Sequence, residues 1–199
     1  MRARLVVPVL AVALAAIVPA APTGAATSAG VGQVLVVGDS LAVGTEPYLG
    51  DLLPGREVTF DAVTGRTTPE GMRTLRARLL DLHPDTVVIS LGTNDGSDPA
   101  RFASRIRRVL DAIPGDACIV WSTVIRPPRK GAFAGLNRVL RRIDLRDDRL
   151  SLIDWDQAVQ SGHVALPDTV HPDATGFQYR SRMFAEAIDQ GCPAQARGA

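Results

Sequence analysis

Five short apolar runs alternate with four amphipathic segments along the chain, and no other feature restricts its possible folds as much. The runs cover residues 33–37, 57–63, 86–91, 117–124 and 150–155. The first is closed by Gly38 and the third by Gly92, and both are nearly continuous in Val, Leu and Ile, as in strands buried on both faces. Between the runs, residues 69–82 place Met72, Leu75, Leu79 and Leu82 on one helical face. Residues 99–113 do the same with Phe102, Ile106, Val109, Leu110 and Ile113, and 134–145 with Leu136, Val139, Leu140 and Ile143. A last helix is expected over 173–190, with Asp173 as its N-cap and Gly191 as its stop. Parallel neighbours need a crossover, so strands alternating with helices imply a parallel sheet covered on both faces. The expectation is an α/β protein: one three-layer α/β/α domain around a five-stranded parallel sheet.

Ahead of the first strand, Arg2 and Arg4 precede an uncharged apolar run over 5–18 and a Pro/Ala/Thr/Gly-rich stretch over 19–30. That order is a secretory signal peptide, and the run is short against the roughly 20 residues of a membrane span. The expected division is a signal peptide over 1–26, a linker over 27–32, the folded domain over 33–193 and a disordered tail over 194–199. The product is then a monomer, secreted or held in the cell envelope, with no stable membrane anchor after cleavage. In an oxidising compartment Cys118 and Cys192 are expected to form a disulfide, two buried thiols being the alternative. Twenty-two basic residues against 21 acidic ones leave a net charge of +1, which gives no basis for a nucleic-acid partner.

In a parallel sheet, ligands bind beyond the carboxyl ends of the strands. Four segments fall on that rim. Ser40, in Gly38-Asp39-Ser40-Leu41, follows the first strand, Gly65 the second, and Asn94, in Gly92-Thr93-Asn94-Asp95, the third. Asp168 and His171 come after the fifth strand and directly before the last helix, whose start lies at the same edge. A serine needs a base within hydrogen-bond reach, and His171 is the best placed of three histidines. His83 ends a helix at the other rim, and His163, in a Gly/Ser loop, is the second choice. Asp168, three residues before His171, reaches its other ring nitrogen and holds the tautomer. The Ser40 N–H, the Gly65 N–H and the Asn94 amide are candidate donors to an oxyanion. Asp39 and Asp95 are read as braces for their turns. Arg66, Arg126, Arg129 and Lys130 are read first as surface charge and second as contacts for an anionic glycan or lipid headgroup. Lys130 is the one lysine in the chain.

These blocks resemble those of SGNH, or GDSL-type, hydrolases, and they keep the order and spacing of that family over nearly all of the expected domain. The resemblance implies a flavodoxin-like arrangement of the sheet and a cofactor-independent serine esterase. Ser40 would be the nucleophile, His171 the base and Asp168 its partner, with Ser40, Gly65 and Asn94 forming the oxyanion hole. Arg66, directly after Gly65, departs from the pattern by placing a long cation where substrate would pass. Val124-Ile125-Arg126-Pro127-Pro128, Leu136-Asn137 and Asp154-Trp155 are also similar to extracellular SGNH domains of acyltransferases that O-acetylate polysaccharides.

Other classes fit less well. Residues 38–44 lack both the G-x-G-x-x-G spacing and a Walker lysine, and Ala42 takes the final glycine position of an α/β-hydrolase elbow. Asp39, Asp95, Asp168 and His171 offer no second convincing histidine for a metal. A secreted carbohydrate- or lipid-binding module on the same scaffold would have no need of an activated serine. The expected substrates are small esters or acylated glycans and lipids, short-chain or sugar O-acyl groups being favoured, with transfer to another alcohol as an alternative to hydrolysis.

Overall fold

In a computed structural model describing residues 32–192, five parallel strands form one sheet in the order β2-β1-β3-β4-β5. The strands are β1 Gly32–Gly38, β2 Arg56–Ala62, β3 Thr86–Ser90, β4 Cys118–Ser122 and β5 Leu150–Ile153. Helices α1 Ser40–Val43 and α2 Glu46–Leu49 follow β1; α3 Thr68–Asp81, α4 Pro99–Leu110 and α5 Ala134–Asp144 supply the next crossovers. Helix α6 Trp155–Gln160 and the long α7 Ala174–Gln190 close the chain. The expected signal peptide and the expected tail from 194 onward lie outside the described residues.

Alternate residues of the buried strands feed two cores. Leu35, Val37, Val87, Ile89, Ile119 and Trp121 point to the side covered by α3, α4 and α5, where Leu75, Phe102, Ile106 and Leu140 meet them. Val34, Val36, Val88 and Val120 point to the other side, against Leu49 and against Phe184 and Ile188 of α7. This is why β1 and β3 read as continuous apolar runs: both faces of each strand are covered.

Helix caps set where the site loops leave the scaffold. Glu70 accepts from the Thr67 N–H at 2.8 Å and from its hydroxyl at 2.7 Å, starting α3 just after the Gly65 loop. Asp98 starts α4 by accepting from Ala100 N and Arg101 N. Asp173 starts α7 by accepting from Gly176 N, and Gly191 ends it with φ of 66°, as expected from the sequence.

Two strands, β4 and β5, end two residues before their apolar runs do. The run over 117–124 leaves the sheet after Ser122, because the Asn137 side chain takes both the N–H of Val124, at 2.7 Å, and its carbonyl, at 2.9 Å. The run over 150–155 stops at Ile153, and Trp155 instead opens α6, buried but helical. Burial is shared by both states, so an apolar run does not mark its own end. At the amino-terminal rim, Cys118 and Cys192 are bonded, tying the end of α7 to the start of β4. Among the described residues, no helix is long and apolar enough to cross a membrane.

Candidate active site

The sheet order reverses direction between β1 and β3, and the crevice at such a switch point is where ligands sit in open α/β sheets. Three loops are knitted together there. Asp39 N donates to Ser90 O at 3.1 Å, and Val63 N donates to Gly38 O at 3.1 Å, so the loops after β1, β2 and β3 share one edge. Gly38 has a steric reason: a Cβ there would lie 2.2 Å from the Ala42 Cβ. Only glycine lets the chain turn straight from β1 into α1 with Ser40 at its first residue.

Ser40 Oγ lies 2.7 Å from His171 Nε2, across 131 residues of sequence. His171 Nδ1 lies 2.7 Å from Asp168 Oδ2. The other oxygen, Oδ1, accepts from Val170 N at 3.0 Å and His171 N at 2.6 Å, winding the loop around the carboxylate. Thr169, between Asp168 and Val170, has φ of 71°, a left-handed conformation rare for a threonine. The His171 hydrogen bond, followed by the two backbone N–H groups, holds the Asp168 carboxyl far below the usual carboxylate range. His163 is elsewhere, bonded to Ser161 Oγ at 2.6 Å and stacked on Tyr179.

The candidate oxyanion donors come from the two flanking loops. Arg66 N donates to Val63 O at 3.1 Å, closing a turn in which Gly65 has φ of 81°. A positive φ at the third residue of a turn requires glycine, whereas no atom lies within 4 Å of where its Cβ would be. The glycine is therefore demanded by the backbone, and the space in front of it is open. That space is part of a polar cleft of about 350 Å³ between the loop and Glu70, Arg73 and Thr74 of α3.

Asn94 is held at both ends. Its Nδ2 donates to Asp39 Oδ2 and to Arg66 O, each at 3.2 Å, and its Oδ1 accepts from Lys130 Nζ at 2.7 Å. Lys130 has only protons to offer and the Arg66 carbonyl only lone pairs, so the amide has one permissible orientation. Arg126, buried beneath, donates from Nη2 to the carbonyls of Thr93 and Asp95 on either side of Asn94. Asp95 accepts from Thr68 N at 2.8 Å and pairs with Arg105 at 3.1 Å, so it braces the start of α3 against α4.

Of the cations read as surface charge or substrate contacts, three are committed within the protein. Arg66 folds back onto the Asp61 carbonyl and carboxylate and leaves the passage clear, because the neighbouring acid competes successfully for it. Arg126 and Lys130 grip the Asn94 turn, and Arg129 alone is exposed without such a tie.

Asp39 accepts from Leu41 N at 3.0 Å, capping α1, and burial pushes its carboxyl up from 3.8 to about 6. The hydrogen bond from Leu41 N and then the positive charge of Arg180 partly oppose that rise. Arg180 is fully buried beneath the site, its guanidinium 4.6 Å from the Trp155 ring centre and bonded to Ser90 Oγ at 3.0 Å. Burial lowers its pKa to about 9, against the pull of Asp39. Arg180 was not singled out by motif. Its signal is spacing: it falls on the stripe of Phe184 and Ile188, at helical intervals that face the core.

Residues 36–179 match the GDSL-like Lipase/Acylhydrolase family. The chain is 25% identical over 161 residues to the peptidoglycan O-acetyltransferase OatA of Listeria monocytogenes, covering 79% of this chain and 24% of that protein. It is 35% identical over 116 residues to an arylesterase of Vibrio mimicus, covering 50% of this chain and 58% of that one. It thus spans about a quarter and somewhat over half of these two relatives. Among solved structures, the C-terminal catalytic domain of OatA from Streptococcus pneumoniae matches with a TM-score of 0.62 at 21% identity, covering 80% of this chain and 91% of that one. A lipase/acylhydrolase of Enterococcus faecalis matches with a TM-score of 0.64 at 19% identity, covering 78% and 94%. At these identities the structural matches establish the fold.

Proposed function

The chain belongs to the GDSL-like lipase/acylhydrolase family, and from that premise we propose that it is an exported serine esterase acting through an acyl-enzyme on Ser40. The observation that carries the reading is the continuous relay from Ser40 Oγ to His171 to Asp168, with 2.7 Å at each step. His171 takes the hydroxyl proton as Ser40 attacks the ester carbonyl, then returns it to the leaving alcohol. It next draws a proton from water as the water oxygen attacks the acyl carbon, and passes that proton to Ser40 Oγ as the acyl–oxygen bond breaks and the acid leaves. Asp168 fixes the tautomer and faces the imidazolium that forms. The oxyanion is received by the Ser40 N–H, the Gly65 N–H and Asn94 Nδ2, the last giving up one of its two long resting bonds. Lys130 is a positioning residue: its ammonium keeps the amide's protons turned toward Ser40 and polarises them.

Export is supported by the leader-like pattern before residue 27 and by the bridged Cys118 and Cys192. The polar, open cleft beside Gly65 favours short acyl groups on sugars or small alcohols over long lipid chains. The similarity to an O-acetyltransferase over 79% of the chain favours a second reading, in which an alcohol replaces water in the second half-reaction.

The test compares wild type with Ser40→Ala on p-nitrophenyl acetate, with and without an added sugar alcohol. Wild type should release p-nitrophenol at least 1,000-fold faster than the variant. Equal rates would remove Ser40 from the chemistry. Acetylated sugar forming at the expense of free acetate would select transfer.

A further inference from the structure

Helices α3, α4 and α5 cover one face of the sheet, with α4 touching both neighbours, and together they carry ten arginines against three acidic residues. On the opposite face, α1, α2 and α7 carry two arginines against three. The near-neutral chain is thus strongly polarised, which composition alone conceals.

The arginines of this face are not absorbed by local pairing. Arg78, Arg105 and Arg141 have carboxylate partners, and Arg73 faces Glu70. Arg76 on α3, Arg101, Arg107 and Arg108 on α4, and Arg138 and Arg142 on α5 are all exposed. None of the six takes part in an ion pair among the described residues. Like charges on adjacent helices repel, so the array costs stability unless an outside anion answers it.

Between α3 and α4 the face opens into a slot of about 270 Å³, floored by Pro69 and Met72 and edged by Arg76, Arg105 and Arg108. Thr68 lies at its upper end, and the Thr68 N–H bonds to Asp95, the residue after Asn94. The slot therefore leads from the arginines to the rim that carries Ser40.

We propose that the α3–α4–α5 face binds an anionic polysaccharide, seating one unit in the α3/α4 slot and delivering acylated units of the same chain to the catalytic rim. Planar guanidinium groups bind carboxylates with paired hydrogen bonds, and spaced along a polymer they act together. A membrane surface fits less well. The exposed large apolar residues at this face, Leu80 and Leu145, lie at the far ends of α3 and α5, and no exposed aromatic accompanies them. Delivery to Ser40 rests on the esterase reading; binding does not.

The experiment measures binding of wild type, Ser40→Ala and the triple variants R76E/R107E/R142E and R76Q/R107Q/R142Q to polygalacturonate, neutral dextran, and phosphatidylglycerol or phosphatidylcholine vesicles. Wild type and Ser40→Ala should bind polygalacturonate alike, ignore dextran, and lose about tenfold in affinity between 50 and 200 mM salt. The Glu variant should lose binding by at least about tenfold and the Gln variant by less, both melting no lower than wild type and with unchanged p-nitrophenyl acetate rates. Acetate release from O-acetylated polygalacturonate should fall in both triple variants, while release from neutral acetylxylan stays level. Equal binding by the Glu variant and wild type, equal binding to dextran, or a preference for anionic vesicles would each overturn the proposal. Loss of hydrolysis in wild type with binding intact would overturn only the esterase reading.

Discussion

A side-chain amide stabilises an oxyanion only if its nitrogen, not its oxygen, faces the reacting carbonyl. At Asn94 that choice is enforced by Lys130 on one end and by the Arg66 carbonyl on the other. Replacing Asn94 by Ala should lower kcat by about 100- to 1,000-fold with little change in KM. Lys130→Met should lower kcat about tenfold, Lys130→Arg should restore most of it, and neither should shift the melting temperature appreciably. The decisive measurement is a double-mutant cycle. On the Asn94→Ala background, Lys130→Met should have no further effect, because Lys130 acts through that amide. Additive losses would show that Lys130 acts elsewhere. Ser40, Asn94, Asp168 and His171 were legible in the sequence because each sits in a short block with turn chemistry of its own. Lys130 reads in the sequence as surface charge or as a contact for an anionic group, because its 36-residue separation from Asn94 hides the contact.

The strand-to-helix turn at β1–α1 sets the height of Ser40 above the sheet, and its geometry depends on having no side chain at Gly38. Gly38→Ala should destabilise the protein by about 1–3 kcal/mol and cut turnover, since the new Cβ would meet Ala42 at 2.2 Å and push α1 away from His171. Adding Ala42→Gly removes that obstacle and should recover much of the activity. A double variant no better than Gly38→Ala would place the strain elsewhere, with Ser90, whose Cβ lies 3.1 Å away, as the next contact. Strand and helix positions could be read from periodicity, because burial on one face or two leaves a pattern in the chain itself. The ends of β4 and β5 could not. They are set by Asn137 seizing the Val124 backbone and by Trp155 being buried from a helix, and both events need partners brought in by the fold.

Two buried ionic groups, Asp39 and Arg180, lie together under the catalytic rim, and they give the whole protein a distinctive pH dependence. In the folded state Asp39 keeps its proton to about pH 6, whereas the unfolded chain releases it near 3.8. Between those values the native state binds more protons, so this group's contribution to stability falls as pH rises, by about 3 kcal/mol in all. The carboxylates held below their usual range, Asp61, Asp147 and Asp168 among them, act in the opposite sense and lose their contribution only as pH falls below about 4. Urea midpoints measured from pH 4 to 7 should therefore decline more steeply for wild type than for Asp39→Asn. Slope, not absolute stability, is the readout, since the amide keeps one of the two acceptor oxygens. Parallel curves would mean that Asp39 does not titrate in this interval.

Periodicity, turn residues and the order of the blocks carried the α/β architecture, the parallel sheet and the shared rim of Ser40, Gly65, Asn94, Asp168 and His171. These are consequences of local conformational preference and of one-dimensional burial patterns, which a chain states about itself. Whether a charge is free or spent is a different matter. Arg126, Lys130 and Arg180 are chemically ordinary cations, and each acquires its role from an acceptor or aromatic ring tens of residues away or from the loss of water around it. The arginine face likewise exists only once three crossovers place α3, α4 and α5 side by side. Electrostatic energy depends on distance and local dielectric, and neither exists until the chain has folded.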